Sequence, residues 1–146
     1  MKLSAAIQKN YPRCTHYIRR LLPQVGQSNT IVGAMKKCAQ LSASQFRRAL
    51  AWGTWPELRV VALGGPYGGF NASSDPNVIM IAPFVMSRHE AGTDGVRLAK
   101  GTVVPILGAT ILHEMVHWGD AKDKADRAGE EGEEFERLVY GEVTYL

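Results

Sequence analysis

The alternation of apolar and polar positions predicts helices throughout the first third of the chain. Three segments there place apolar side chains three to four positions apart, and the second and third open on asparagine or serine. This spacing is typical of one apolar helix face, and those residues are preferred helix caps. The predicted helices occupy residues 15–22, 29–41 and 42–52.

The pattern changes after Pro56. Residues 57–63 (ELRVVAL) form a short β-branched run closed by two glycines, and residues 78–86 (VIMIAPFVM) form another that Pro83 interrupts. Such runs between turn residues predict strands. The intervening residues 64–77 are rich in Gly, Pro, Asn and Asp, and therefore predict turns throughout.

Two further helices are predicted near the carboxyl end. The first runs from about Pro105 to Gly119, because proline suits the first turn of a helix and glycine suits its end. After a polar link over residues 120–129, the second begins in EEGEEFE and carries Phe135 on its apolar side. Helices, then strands, then helices are the order of an α+β fold.

One domain is expected over residues 1–146, because the chain has no internal repeat and no long linker. Its helical part comprises residues 1–55, and residues 56–146 hold the strands and the last two helices. The 45% hydrophobic and 21% charged content is that of a soluble globular protein. No apolar run approaches the roughly 20 residues that cross a bilayer, and the first ten residues lack the apolar core of a signal peptide. Neither a membrane span nor a cleavable signal peptide is expected.

The two cysteines, Cys14 and Cys38, predict neither a disulfide framework nor a zinc site. One pair is too few for a framework, and the spacing is not C-x-x-C. Both are therefore expected to be buried in the predicted helices, with a single disulfide as the alternative.

The net charge of +3 conceals an uneven distribution. Residues 1–60 contain ten Lys and Arg against Glu57 alone, whereas residues 111–146 contain ten Asp and Glu against four Lys and Arg. A basic segment can contact nucleic acid, but these basic residues occur as pairs at helix edges. They are expected to form solvated faces that complement the acidic end, with no nucleic-acid partner.

The segment ATILHEMVHWGD contains the pattern H-E-x-x-H at His113, Glu114 and His117. On a helix the two histidines lie one turn apart on the same face, so both imidazoles reach one ion. Zinc accepts such nitrogen ligands at about 2.0–2.1 Å. Glu114 lies about 100° round the helix, beside the ion, where it can act as the general base. The pattern predicts a catalytic Zn2+ site, the alternative being a buried amphipathic helix whose histidines bind no metal.

A third protein ligand is required, since a catalytic zinc site has three of them and one open position. The chain has no histidine after His117, so a downstream carboxylate is expected. Glu136 is favoured, because it follows His117 by 19 residues and lies one turn beyond Gly132, where two helices can approach closely. Glu131 is the alternative, and Asp120 is either a ligand or a hydrogen-bond acceptor for a liganding imidazole. The other glutamates of this helix are expected to form a solvated face.

Together with EEGEEFERLVYG, the motif resembles the zincin-like metallopeptidases of the bacterial polymorphic toxin and type VI secretion effector class. The resemblance covers about the last eighty residues and includes YGGFN and DPNVIMIAP before the predicted active-site helix. It implies a zincin-like fold, a Zn2+ cofactor and a zinc metalloendopeptidase toxin. It further implies His113, His117 and Glu136 as metal ligands and Glu114 as the catalytic base.

For a toxin of this class, the resemblance also implies a protein or peptide substrate, an immunity protein and a secretion carrier. Delivery would use a specialised secretion system without a signal peptide, and the enzyme would act in the periplasm or cytoplasm of a target cell. An extended substrate pairs with an edge strand in zincins, and NVIMIAP is the candidate for that edge. Tyr140, Tyr145 and His89 are candidates for stabilising the oxyanion.

Two other functions fit the same residues. One is a peptidoglycan endopeptidase of phage or secretion origin, which would use the same site on a cell-wall peptide. The other is a non-catalytic basic binding module with a structural metal. The presence of Glu114 argues against the second, because a structural metal site needs no base.

Overall fold

A computed structural model describes residues 1–122 and 130–145. Within these ranges it has seven α-helices and six strands, so the predicted α+β class is confirmed. The helices are α1 (Ala5–Asn10), α2 (Pro12–His16), α3 (Asn29–Ala39), α4 (Ala43–Leu50), α5 (Pro83–Ala91), α6 (Ile106–Asp120) and α7 (Glu131–Tyr140), with a π-helical turn (Tyr17–Leu21) and a 3₁₀ helix (Leu22–Gln27) between α2 and α3. The strands are β1 (Lys2–Leu3), β2 (Glu57–Val60), β3 (Gly68–Phe70), β4 (Val78–Ile81), β5 (Gly95–Arg97) and β6 (Val103–Pro105).

The first third is helical, as predicted, although its first predicted helix is irregular. α3 and α4 begin after Ser28 and Ser42, whose hydroxyls accept hydrogen bonds from N–H groups in the first helical turn. Residues 15–22 instead cross the end of α2, the π-helical turn and the start of the 3₁₀ helix. Helical backbone continues through Pro23 because a first turn does not need the N–H that proline lacks.

The main sheet has the strand order β1-β2-β4-β3, with β1, β2 and β4 parallel and β3 antiparallel to β4. β2 and β4 correspond to the two predicted strands. β3 lies in the segment predicted to be turns throughout, because two glycines give no alternating apolar pattern. β4 therefore lies between β2 and β3, and the prediction that NVIMIAP offers a free edge is wrong. The edge strand on this side is β3.

Pro83 begins α5 instead of merely ending a strand, because proline fits the first helical turn. A hairpin of β5 and β6 follows and leads directly into α6. Asp94, just before β5, accepts a hydrogen bond from the Leu107 N–H (3.3 Å) at the start of α6 and lies 2.8 Å from His89 Nδ1. These contacts fix where α6 begins.

α6 passes through the core, and all of its residues except His113 and His117 are buried. α3 packs against both α6 and α7. The approach of α6 to the end of α3 requires Gly119, since a Cβ at that position would lie 2.8 Å from the Ala39 carbonyl oxygen. The N-terminal helices are therefore part of the core that supports the H-E-x-x-H helix.

Two other predictions, on the cysteines and on membrane spans, compare directly with the structure. Cys14 and Cys38 are buried and are not joined by a disulfide, as predicted. Among the described residues, none of the helices has the length and apolarity that crossing a membrane requires. The predicted polar link falls mostly on residues 123–129, outside the described residues.

Candidate metal centre

His113 and His117 lie one turn apart on α6 and face each other. The distance between their Nε2 atoms is 3.3 Å, and both side chains are half-buried. Two nitrogens at about 2.0–2.1 Å from one tetrahedral ion would be separated by about 3.3–3.4 Å. The histidine pair therefore has the spacing that a shared zinc ion requires.

The other ring nitrogen of His113 is held by α7. Its Nδ1 lies 2.7 Å from Glu136 Oε1, while Glu136 Oε2 accepts hydrogen bonds from the Thr144 N–H (2.6 Å) and hydroxyl (2.7 Å). Both Glu136 oxygens are thus occupied. A carboxylate in this position fixes the imidazole orientation and leaves Nε2 available for a metal.

The two partners shift each other's titration in the expected directions. Burial alone would lower the pKa of His113, but the hydrogen bond to Glu136 and the nearby charges of Glu114, Glu136 and Glu130 together raise it overall. Burial alone would raise the pKa of Glu136, but His113 and Thr144 hold it below its usual value. The pKa of His117 is lowered by burial and by the neighbouring His113. A neutral His117 is ready to ligate a metal.

Among the described residues, the group with spacing suited to a metal consists of His113, His117 and Glu130, whose ligand atoms all lie within 4.8 Å of one another. Glu130 is exposed and immediately precedes α7. Glu136, the ligand favoured from the sequence, contacts the ring nitrogen of His113 that faces away from this group, and its ligand role stays a prediction. Glu130 was placed on a solvated face because helical periodicity does not show which end of α7 meets α6.

The approach of α7 to the histidines depends on Gly132. A Cβ at this position would lie 2.3 Å from His113 Nε2 and 2.5 Å from two ring carbons. No side chain fits there without moving α7 or the imidazole. The glycine in EEGEEFE therefore permits the first turn of α7 to lie against His113 Nε2.

Glu114, which follows His113 in the chain, lies against β3. It is only 6% exposed, and a Cβ on Gly68 of β3 would lie 2.7 Å from its Cγ and Oε1 atoms. Burial raises the pKa of the Glu114 carboxyl to about 7. A carboxyl group that titrates near neutral pH is suited to accept a proton and return it.

The family model for metallopeptidase toxin 3 matches residues 7–141. The chain belongs to this family. The match includes the N-terminal helices and so extends well beyond the last eighty residues that suggested the resemblance. Comparisons with curated proteins and with solved structures give no significant match.

In this metallopeptidase toxin 3 domain, two cavities meet at Glu114, and both are lined by Gly68 and Glu133. The smaller, of about 300 Å3, extends past His113 toward Thr144 and Tyr145. The larger, of about 810 Å3, extends past His117 toward the start of α7. Together they form a cleft that passes over the histidine pair.

Only some of the remaining predicted site residues line this cleft. Tyr145 lines the smaller cavity, whereas Tyr140 and His89 line neither of the two. Asp120 lines the larger cavity, and its Oδ1 accepts a hydrogen bond from the Gln40 side chain (3.3 Å). Of the three oxyanion candidates, Tyr145 is therefore the one that lines the cleft.

Glu131, the alternative third ligand, also lines the larger cavity. It is buried, and its Oε1 has no hydrogen-bond partner among the described residues. It does not belong to the group of ligand atoms that His113, His117 and Glu130 form. The first turn of α7 thus presents one exposed carboxylate to the histidines and one buried carboxylate to the cavity.

Proposed function

We propose that this metallopeptidase toxin domain is a zinc-dependent metalloendopeptidase with a zincin-like active site. The observation that carries the proposal is the facing Nε2 pair of His113 and His117, with the buried Glu114 beside it in a cleft. The donor set of two imidazoles and a carboxylate matches zinc. A structural zinc site would be closed by four ligands and would need neither a base nor a cleft.

For the ligand set, we propose His113 and His117 with a carboxylate from the start of α7. The geometry favours Glu130, because its ligand atom lies within 4.8 Å of both histidine nitrogens. Glu136, predicted from the sequence, is the alternative, but it would have to leave His113 Nδ1 and Thr144 to reach the ion. In the favoured arrangement Glu136 orients His113.

A bound zinc ion supplies Lewis-acid activation of the attacking water and of the scissile carbonyl. Glu114 accepts the proton of that water on its carboxylate and later donates it to the leaving amine nitrogen, so the proton is conserved. Burial beneath Gly68 raises the pKa of the Glu114 carboxyl and so strengthens it as a proton acceptor. Tyr145, at the wall of the smaller cavity, is the candidate donor to the oxyanion.

The test compares the wild-type protein with Glu114→Gln and with Glu134→Gln. Glu134 carries the same charge but is paired with Lys37 (2.9 Å) and does not line the cleft. We expect Glu114→Gln to keep about one zinc per chain and to lose about 10²- to 10⁴-fold in casein hydrolysis. Glu134→Gln should resemble the wild type. Full activity of Glu114→Gln would contradict the catalytic assignment, and cleavage of purified sacculi without casein cleavage would favour a peptidoglycan endopeptidase.

As a toxin, the domain is proposed to be delivered by a specialised secretion system and to cleave a protein or peptide in the target cell. An immunity protein and a secretion carrier follow from that role. Induced expression in the bacterial cytoplasm or, behind an added export signal, in the periplasm should arrest growth in one compartment. Glu114→Gln in the same compartment should be harmless, and equal toxicity of both proteins would contradict a proteolytic role.

A further inference from the structure

The larger cavity of the cleft is strongly acidic. Its described lining includes five carboxylate side chains and no lysine or arginine. These carboxylates are Glu114, Asp120, Glu130, Glu131 and Glu133. The proposed function uses Glu114 as base and Glu130 as ligand, which leaves three carboxylates to explain.

Two of these three have partners within the chain. Glu133 Oε2 accepts a hydrogen bond from Arg137 (2.7 Å), one turn further along α7. Asp120 accepts a hydrogen bond from the Gln40 amide. Glu131 is different, because it is only 7% exposed and its Oε1 has no hydrogen-bond partner among the described residues.

A buried carboxylate oxygen without a partner is costly, since it has lost water and gained no donor. A lysine or arginine side chain offers N–H donors and a positive charge, the strongest partner that such an oxygen can gain. A volume of about 810 Å3 accommodates either side chain. The orphaned oxygen and the acidic lining thus point to the same class of occupant.

We propose that the larger cavity is a specificity pocket that binds the lysine or arginine side chain of a peptide substrate through Glu131. This inference rests on the proposed peptidase function, because it assigns the substrate class of the same cleft. The smaller cavity is also lined by carboxylates, but among the described residues none of them has a buried oxygen without a hydrogen-bond partner. There Glu136 has both oxygens occupied, and Tyr67, Val143 and Tyr145 contribute apolar wall.

The first experiment measures binding without turnover. Zinc-loaded Glu114→Gln protein is titrated calorimetrically with peptides that are identical except for one position, which carries lysine, arginine, norleucine, citrulline or glutamate. That position is scanned along the peptide. We expect one position at which lysine and arginine bind about 10- to 100-fold more tightly than norleucine and citrulline. Glutamate should bind most weakly there.

The second experiment assigns the preference to a residue. Glu131→Gln, added to the Glu114→Gln protein, should abolish the preference for lysine over norleucine while zinc content stays at about one per chain. Glu134→Gln is the matched control, since it removes the same charge from the side of α7 that faces Lys37 of α3 and does not line the cavity. It should leave the preference unchanged. In the active enzyme, Glu131→Gln should raise KM for lysine peptides and leave kcat nearly unchanged.

The outcomes separate this inference from the proposed function. A wild-type enzyme that cleaves lysine and norleucine peptides equally well, with equal affinities, overturns the pocket and leaves the peptidase assignment standing. Binding that prefers lysine, in a protein that cleaves none of the peptides or casein, supports the pocket and overturns the peptidase assignment. Loss of zinc in Glu131→Gln would make Glu131 a metal ligand and overturn the pocket.

Discussion

The two sides of the cleft share Glu114 and Gly68, but the carboxylates that α7 contributes to them differ in their hydrogen-bond partners. On the smaller side, Glu136 gives one oxygen to His113 and the other to Thr144. On the larger side, Glu131 keeps a buried oxygen without a partner among the described residues. These residues are five positions apart on one helix, about 140° apart around its axis. A single helix therefore holds His113 in place with one face and lines the larger cavity with another.

This difference separates carboxylates that hold the site together from those available to a ligand. A buried carboxylate that is hydrogen-bonded within the chain affects the site through the group that it orients. A buried carboxylate oxygen without such a partner gains its strongest interaction when a cationic side chain binds to it. Substitutions of these two residues should consequently affect different measurements, namely zinc affinity for Glu136 and substrate preference for Glu131.

The largest effect on zinc binding is expected at Glu130. Glu130→Gln removes the charge of the proposed third ligand, whose ligand atom lies within 4.8 Å of those of the two histidines, and zinc affinity should fall by more than the roughly 10- to 100-fold typical of residues that only orient ligands. Competition with a fluorescent zinc chelator measures this loss. Retained zinc affinity in Glu130→Gln, with near-complete loss of zinc binding in Glu136→Gln, would identify Glu136 as the third ligand. It would contradict the proposal that Glu130 binds the ion and Glu136 orients His113.

Glu136→Gln should have the next largest effect. The amide keeps the shape of the side chain but removes the charge that fixes the His113 Nδ1–H, so zinc affinity should fall about 10- to 100-fold. Glu131→Gln, measured in the same chelator assay, should stay within about twofold of wild type. Equal losses of zinc affinity in both variants would show that Glu136 and Glu131 do not differ in their contribution to zinc binding.

Gly132→Ala tests the close approach of α7 to His113. The added Cβ would overlap the imidazole ring, and relieving such an overlap typically costs about 1–3 kcal/mol, which here should appear mainly as weaker zinc binding. Gly33→Ala in α3 is the matched control, because nothing lies within 4 Å of its Cβ position. It should stabilise the fold by about 0.4–1 kcal/mol in urea unfolding. Unchanged zinc affinity in Gly132→Ala would contradict the close contact between Gly132 and the His113 imidazole.

Thr144→Val should have the smallest effect. It removes one of the two donors to Glu136 Oε2 and leaves the backbone N–H in place, so the free energy of unfolding should fall by about 1 kcal/mol. Zinc affinity should fall only a few-fold, because Glu136 still contacts His113. The same substitution should not alter the preference for basic peptides. A change in that preference would show that the two cavities are coupled.

The helices and strands whose sequence signals lie within a few neighbouring residues could be predicted from the sequence. α3, α4, α6 and α7 follow from caps and apolar spacing, and β2 and β4 from β-branched runs. β3 was missed because Gly68 and Gly69 have no side chains to alternate. α5 was missed because Pro83 was interpreted as a break in a strand, although it also suits a first helical turn.

The sequence by itself determined the α+β class, the helix that carries His113, Glu114 and His117, and the position of the histidines on one face of that helix. These follow from backbone periodicity, which depends only on near neighbours in the chain. Only the tertiary structure decided that Glu130 lies near the histidine nitrogens, that Glu136 contacts the far side of His113, and that Glu131 Oε1 is buried with no hydrogen-bond partner among the described residues. The face of α7 that meets α6 depends on the path of the chain between the two helices and on the packing of Gly132 against the imidazole. A helical repeat in the sequence encodes neither of them.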